Sequence, residues 1–564
     1  MLLVFGAVFA SFQYSLQLIN VSRAKLSAIA VANERMEFFR SLPYDSVGTV
    51  NGLVPGVVAS TSIISLNGID FTERVIVGWV DDPADGFATA DGNNITRDYK
   101  LVKIEYTWTL GNQTGKIDMI SNIVPRSIET TVGGGSARIN VIDANAQLLP
   151  GARVQLLNAS TSPINEIRFT DINGSAIFSG APVDSNYELV ITALIGGRQY
   201  STTGTYRATV ANPNPSVAPF SVLEADVSTL TFQIGELSDL TLKAYTAINE
   251  DVFTEEFTDL SAVATSTAVS SVGNRLVLAS TAGVYESSGT AMLGPITPVP
   301  LLKWQTLKVA AQLPAGSSYR TQVFTSAVPG VFDLVPESEL PGNNTGFSSP
   351  LINLSRLDTF LFPSIYIRVT LQTTNTAFTP NIDELSLFYR QSATPLTNSP
   401  FAVRGNKVIG TTIAALPIYK YSANPSTDVT GERVLPDLEF DEYTFNFAGR
   451  DILEACSQHP LIHQAGVDGV MEILLGPDLQ STLRVSVQDA SGLKIPGATI
   501  RVRRAGYDVE QQTSSCGQSF FSGGGLGDAV DYELTITSRG YASVSLTPFT
   551  VAGDTVTTVV LLPL

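Results

Sequence analysis

Apolar and polar residues in the first 45 positions follow the period of one long α-helix. The opening apolar run covers about 12 residues, fewer than the roughly 20 that a helix needs to span a bilayer. Farther along, charged residues occur between the apolar positions, and Pro43 cannot continue a helix. The pattern predicts a helix of about 40 residues, apolar in its first half and amphipathic in its second. Its main apolar positions are Leu2, Leu3, Val4, Phe5, Val8, Phe9, Leu26, Ile29, Met36 and Phe39.

The rest of the chain shows the alternation that is typical of β-strands. Between Val50 and Ile128, β-branched and aromatic residues alternate with polar ones, which predicts an antiparallel sheet with one face in water. The same alternation continues after a Gly-rich linker at 131–136 and extends to the carboxyl end. We therefore predict a mainly β, multidomain protein with a long N-terminal helix. The predicted segments are 1–45 (helix), 46–130 (β domain), 131–238, 239–395, 396–480 and 481–564.

Segments 131–238 and 481–564 are an internal repeat. Both contain a Pro-Gly-Ala turn between alternating strands, then a turn glycine, then a Tyr-Glu-Leu strand. Three landmarks in one order are specific enough to predict two copies of one module. The matched landmarks are Pro150–Ala152 with Pro496–Ala498, Gly174 with Gly517, and Tyr187 with Tyr532.

Composition argues against nucleic-acid binding and against catalysis. Lys and Arg number 34 against 52 Asp and Glu, a net charge of −18, and no basic cluster is available for phosphates. The two histidines are His459 and His463, and no nucleophile-elbow, phosphate-loop, zinc-protease or dinucleotide motif is present. Acidic runs such as that around Glu255 are typical of a solvated face. We expect a protein that is not an enzyme and has no cofactor, apart from a candidate calcium site.

The calcium candidate is a Gly-rich loop at 81–94. Its carboxylates are Asp81, Asp82, Asp85 and Asp91. Calcium takes six to eight oxygen ligands, but the EF-hand spacing is missing. Asp and Gly also favour turns without any metal, so both interpretations stay open.

The end of the helix resembles the minor pilins of type IV pilus-like systems. In that family an Ala-rich helix leads into an Asn-Glu-x-Met/Leu-Glu-x-x-Arg stretch and a Leu-Pro-Tyr-Asp turn. The matching residues are Asn33, Glu34, Met36, Glu37, Arg40, Leu42, Pro43, Tyr44 and Asp45. The family's basic leader and the Glu at its fifth mature position have no counterpart near Met1. Processing and the Glu-dependent assembly contact are therefore assigned to no residue here.

Two further resemblances concern the β segments. The repeated module resembles the carboxypeptidase regulatory-like β-sandwich, which has no peptidase chemistry and serves as a spacer or a modest binding surface. Segment 239–395 resembles discoidin-like jelly rolls, which often bind surface ligands through loops at one end. This implies a ligand loop at 341–346 that includes Asn343 and Asn344, although a purely structural sandwich fits equally well.

The chain has two cysteines. Cys456 lies close in sequence to the two histidines, and Cys516 lies in the last module. In an exported protein a single disulfide that ties the last module to the preceding one is the simplest interpretation. A zinc site with His459 and His463 is a second, although Pro460 breaks the helix that would align them. The third interpretation is that both cysteines are free thiols.

The resemblance implies a minor pilin-like subunit of a bacterial surface filament. Its helix would sit in the inner membrane before assembly and later pack against other pilin subunits, and its modules would support adhesion to a surface carbohydrate or protein. The alternatives are a pseudopilin of a type II secretion system and a membrane-anchored surface protein that does not polymerise.

Overall fold

A computed structural model describes residues 2–81, 98–111, 113–124, 135–159, 163–224, 226–328 and 330–564, with side chains from residue 19 onward except at 113. In these ranges the chain has one α-helix, α1 (Leu2–Ser41), a single turn of 3-10 helix at Tyr44–Ser46, and otherwise strands. The predicted mainly β, multidomain architecture with a long N-terminal helix is confirmed. The helix ends two residues before Pro43, because proline cannot supply the next N–H.

The first β domain is a four-stranded antiparallel meander that packs against the second half of α1. Inward positions on the two central strands are mostly apolar, with Glu73 and Lys100 as buried charged exceptions, whereas Lys103 and other charged residues lie on the opposite face. Ala24, Ala28 and Ala32 are fully buried on the helix, and their small side chains allow a close approach to the sheet. The likeness of this helix-and-sheet unit to pilins stays a prediction. The strands are β1 (Thr61–Leu66), β2 (Ile69–Val80), β3 (Tyr99–Leu110) and β4 (Gln113–Ile123).

The first copy of the repeat is a sandwich of two small sheets. One sheet has the order β15-β5-β8 and the other β12-β9-β6-β7, with β14 beside β9. Strand β15 runs parallel to β5, whereas the other neighbours are antiparallel. The strands are β5 (Gly135–Ile142), β6 (Arg153–Asn158), β7 (Ile164–Phe169), β8 (Ser175–Ala181), β9 (Asp184–Thr192), β10 (Leu194–Ile195), β11 (Arg198–Gln199), β12 (Thr203–Gly204), β13 (Asn214–Pro215), β14 (Phe220–Val222) and β15 (Val227–Gln233).

The middle of the chain begins with a second, larger sandwich. A five-stranded sheet, β17-β22-β27-β24-β25, packs on one end of a nine-stranded sheet around a core that contains Trp304. Its strands are β16 (Ser238–Glu255), β17 (Val263–Thr267), β18 (Val269–Ser271), β19 (Leu276–Leu278), β20 (Ser280–Thr281), β21 (Val284–Tyr285), β22 (Ser288–Ile296), β23 (Lys303–Gln312), β24 (Ser317–Val328), β25 (Val331–Leu334), β26 (Leu351–Asn353), β27 (Ile365–Thr373) and β28 (Asn381–Pro395).

Strand β16 is 18 residues long and belongs to two sandwiches. Its second half pairs with β28, and its first half pairs with β33 and β37. That first half is covered by a second sheet, β32-β29-β34-β36, around a separate core. The strands of this unit are β29 (Ala402–Gly405), β30 (Val408–Thr411), β31 (Pro417–Tyr419), β32 (Ser422–Ala423), β33 (Glu432–Leu438), β34 (Asp441–Asn446), β35 (Arg450–Ala455), β36 (Leu461–His463) and β37 (Gly469–Pro477).

The last segment folds like the first copy of the repeat. Its sheets are β41-β38-β44, with β44 parallel to β38, and β40-β39-β42-β43. The buried hydroxyl of Thr170 accepts from the N–H of Ala152, and Thr513 does the same for Ala498. Matching contacts at matching positions support one module in two copies. The strands are β38 (Thr482–Asp489), β39 (Thr499–Arg504), β40 (Tyr507–Gln512), β41 (Gln518–Ser522), β42 (Ala529–Thr537), β43 (Val544–Val551) and β44 (Asp554–Leu561).

Hydrogen bonds, side-chain packing and strand pairing connect the units to each other. Glu166 of the first repeat accepts a hydrogen bond from the backbone N–H of Leu53 at 2.9 Å. Gly180 lies against the ring of Trp79, at a positive φ and at a distance that leaves no room for a Cβ. Strand β13, which lies within the first repeat, pairs with β30 of the unit formed by β29–β37. The predicted segment boundaries stay a prediction, but the described units form a connected stack.

Candidate functional site

The helix presents two different faces. Met36 and Phe39 are buried against the first β domain, so they stabilise the subunit itself. Leu26 is 67% exposed and Ile29 is 37% exposed, on the face that points away from the sheet. Among the described residues, no helical stretch is long and apolar enough to cross a membrane. The side chains of Leu2, Leu3, Val4, Phe5, Val8 and Phe9 lie outside the described residues.

A buried carboxylate fixes the helix to its sheet. Glu73 on β2 is fully buried and forms an ion pair with Arg35 of α1 at 3.0 Å. Its other contacts are hydrogen bonds from the hydroxyls of Tyr106 and Ser62. These contacts hold α1 in one orientation on the sheet, because moving Arg35 away would leave the buried negative charge of Glu73 uncompensated.

A buried lysine holds the turn after the helix. Lys100 donates to the backbone oxygens of Tyr44 and Val47, each at 2.8 Å, and its ammonium lies over the rings of Tyr44 and Trp79. Burial lowers the pKa of Lys100 to about 8, while the charge of Asp45 opposes this shift. The Leu-Pro-Tyr-Asp turn therefore has a structural partner on β3.

The two predicted ligand sites have different outcomes. Of the calcium candidates, Asp82, Asp85 and Asp91 lie outside the described residues, and Asp81 follows the end of β2. In the 341–346 loop, the amide of Asn343 is fully buried and bonds to the backbone of Val323 and Val335. This amide is committed to the loop itself, which leaves Asn344 as the exposed side chain of the predicted pair.

The cysteines lie at the junction between the nine-stranded sheet and the last module. Cys456 follows β35, Cys516 precedes β41, and the two are joined by a disulfide across 60 residues of sequence. The histidines do not approach it as ligands. Nε2 of His459 contacts the backbone of Phe445, and Nε2 of His463 lies 3.0 Å from the hydroxyl of Ser238.

Side chains reinforce this junction on both sides of the disulfide. The amide of Gln518 bonds to both backbone groups of Ala455, so it acts as a strand partner for the edge of β35. Glu250 of β16 accepts from the backbone N–H and the hydroxyl of Ser515. Sequence reasoning missed both residues, because a Gln and a Glu in strands carry no local sign of a distant partner.

Several charged side chains are buried next to this junction. Arg390 is 2% exposed, forms an ion pair with Glu472 at 3.0 Å and lies 3.6 Å from Glu250. Glu454 is buried nearby, and burial, with the charge of Glu250, raises the pKa of its carboxyl to about 7. The carboxyl of Glu454 is therefore poised to gain or lose a proton near neutrality.

Two clefts open beside the junction. One, of about 450 Å³, is lined by Glu250, Glu454, Ser514 and Gln518 among others. The other, of about 490 Å³, exposes the disulfide and is lined by Lys303, Glu472, Lys494 and neighbouring polar groups. A group of buried charged side chains therefore lies next to the disulfide.

Acid stability provides a test of the partly buried His459. Burial and the nearby charge of Arg484 lower the pKa of His459 to about 4, so the unfolded chain binds a proton that the native chain does not between that pH and about 6.5. Native stability should fall by up to about 3 kcal/mol across this window. Glu454 acts in the opposite direction, because its raised pKa stabilises the native chain as the pH falls through about 7.

We expect His459→Gln to gain stability relative to the wild type on acidification from pH 7 to pH 4. Denaturant unfolding of both chains in matched buffers measures the difference. A stability difference that stays constant across this range would show that the pKa of His459 is not lowered in the native chain.

Comparisons with known proteins give only distant structural similarity. No protein-family model matches the chain, and no curated protein does. The chain is similar to the Bacillus anthracis TIE protein with 10% identity, 82% of this chain and 59% of that chain covered, and a TM-score of 0.16. It is also similar to BcpA, the major pilin subunit of Bacillus cereus, with 9% identity, 76% and 100% coverage and a TM-score of 0.14.

A third similar structure is the full-length RrgB pilus protein from Streptococcus pneumoniae, with 10% identity, 77% of this chain and 99% of that chain covered, and a TM-score of 0.14. The chain spans about 59% of the length of the TIE protein. TM-scores this low do not establish a shared overall fold or a shared function.

Proposed function

We propose that this chain is a minor subunit of a type IV pilus-like surface filament. The observation that supports this most is the division of α1 into a face buried against its own sheet and an outer face with exposed Leu26 and Ile29. Exposed aliphatic side chains in a row on a helix are suited to packing against a second helix. Other pilin subunits are the partners proposed for that face.

The β units suit a role in display. They are connected by hydrogen bonds, by the pairing of β13 with β30 and by the long strand β16, so the stack has few free joints. A stiff extension of this size favours a low-copy or tip position, because dense repetition along a filament would crowd the modules. We propose that the extension presents an adhesive surface on the outside of the cell.

The test compares two matched substitutions in native cells. Leu26→Glu places a charge on the outer face of the helix, and Ile63→Glu places one at an equally exposed apolar position on β1. We expect Leu26→Glu to reduce the chain in sheared filaments by about tenfold, because a buried unpaired charge opposes packing. Ile63→Glu should leave that amount unchanged, as judged by quantitative mass spectrometry of the filament and whole-cell fractions.

Two outcomes would contradict the proposal. If the wild-type chain is found only with membranes and never in sheared filaments, a surface protein that does not polymerise is the better description. If it co-purifies with a secretion machine instead, the pseudopilin alternative is favoured.

A further inference from the structure

The disulfide has a carboxyl group beside it. Oε1 of Glu454 lies 3.4 Å from Sγ of Cys456. A carboxylate oxygen of Glu454 and the Sγ atoms of Cys456 and Cys516 all lie within 4.8 Å of one another. Glu454 occupies the last-but-one position of β35, and Cys456 comes directly after that strand. The carboxyl and the sulfur therefore lie at the same end of one strand.

The disulfide is also accessible from one side. Both cysteines line the 490 Å³ cleft, in which Cys456 is partly exposed and Cys516 is buried. Lys303 and Lys494 also line this cleft, and Lys303 is paired there with Glu472, which leaves Lys494 as the positive group without an ion-pair partner among the described lining residues. Glu454 itself lines the neighbouring cleft of about 450 Å³, whereas the two cysteines line the cleft of about 490 Å³.

The charges around Glu454 come from several elements. Glu250 of β16 and Glu472 of β37 are negative, while Arg390 of β28 and Arg484 of β38 are positive. Burial is the largest influence, and it raises the pKa of Glu454 to about 7. A carboxyl with such a pKa is a better match to a thiol than an exposed one, whose pKa is about 4.3.

We propose that Glu454 is the proton acceptor for the thiol–disulfide exchange that closes the Cys456–Cys516 bond. This inference does not depend on the proposed filament role. The accessible thiol of Cys456 gives its proton to the Glu454 carboxylate, and the resulting thiolate attacks an external disulfide of the glutathione class. A mixed disulfide forms, and one external thiolate leaves and takes its proton from the Glu454 carboxyl, which becomes a carboxylate again.

The second exchange completes the reaction. The thiol of buried Cys516 loses its proton to the nearby carboxylate and attacks Sγ of Cys456, which releases the second external thiolate. This thiolate takes from Glu454 the proton that Cys516 gave up. In total the two cysteines are oxidised, one external disulfide is reduced to two thiols, and Glu454 returns to its starting state. The carboxyl acts on reacting atoms in both exchanges.

The experiment measures closure of the disulfide in the full chain. The chain is reduced, freed of reductant and mixed with oxidised glutathione between pH 5.5 and 9, and closure is followed by thiol alkylation and mass spectrometry. We expect Glu454→Gln to slow closure by about tenfold near pH 7.5 and to remove the inflection near pH 7. Only the inflection of the free thiol near about 8.5 should then remain.

Glu472→Gln is the matched control, because it removes one negative charge from the same cluster. The side chain of Glu472 pairs with Lys303 and Arg390, and only its backbone oxygen, which the substitution keeps, bonds to the N–H of Cys456. In 6 M guanidinium, where the site is absent, the wild type and Glu454→Gln should react at equal rates. Closure at the wild-type rate in Glu454→Gln would overturn the proposal.

Faster closure in Glu454→Gln would also overturn it, because a carboxylate that acts only as a negative charge raises the pKa of a neighbouring thiol. An equal slowing in Glu472→Gln would overturn it as well. If Glu454→Gln fails to fold, as judged by circular dichroism, Glu454→Asp is compared instead. Retention of the inflection near pH 7 in that variant supports the proposal, and its loss overturns it.

Discussion

Replacing both cysteines by serine should loosen the last module from the nine-stranded sheet and lower its free energy of unfolding by about 4 kcal/mol. The figure follows from the entropy of closing a loop, because the bond joins residues that are 60 apart in sequence. Native-state hydrogen exchange should show the effect in β38–β44, whereas exchange in β1–β4 should stay as in the wild type.

The wild-type chain treated with a reductant is the control for the Cys456→Ser/Cys516→Ser chain, since it lacks the same bond without a change of sequence. Both should show the same faster exchange. If neither differs from the oxidised wild type, then the contacts of Gln518 and Glu250 alone hold the module in place.

Replacing Arg35 by methionine should destabilise the helix-and-sheet unit by about 3 kcal/mol. The substitution removes the cation that compensates the fully buried carboxylate of Glu73, and breaking one side of a buried pair is far more costly than losing an exposed one. Arg40→Met is the matched control, because its pair with Glu37 is more than half exposed on both sides.

Hydrogen exchange of β2 and β3 in the full chain measures both substitutions. Arg35→Met/Glu73→Gln should recover most of the loss, since the double variant has no buried charge. Equal effects of Arg35→Met and Arg40→Met would show that the Glu73 pair is not what holds the helix.

Local patterns in the sequence predicted the elements well. The helix, its end before Pro43 and the one-sided alternation of the first sheet all depend on residues that are close in sequence. Glu73 occupies an inward position among Phe71 and Val75, which already marks it as a buried carboxylate in need of a partner. Its partner, Arg35, lies on α1, and nothing in the sequence around Arg35 indicates that it pairs with Glu73.

Contacts between distant segments were not predictable in the same way. The parallel pairing of β16 with β37 joins residues more than 200 apart, and alternation in either strand is the same whatever strand lies beside it. Asn343 shows a similar limit, because Asn in a Gly-rich loop indicates a turn but not whether its amide faces water or the backbone of Val323.

The shared strand β16 has a consequence for the order of synthesis. Its first half must wait for β37, which ends at Pro477, so a ribosome has to produce most of the chain before the nine-stranded sheet is complete. Only after that can β41 dock and bring Cys516 to Cys456. We therefore expect the nascent chain to need protection from aggregation for a long interval, and the disulfide to mark the end of folding.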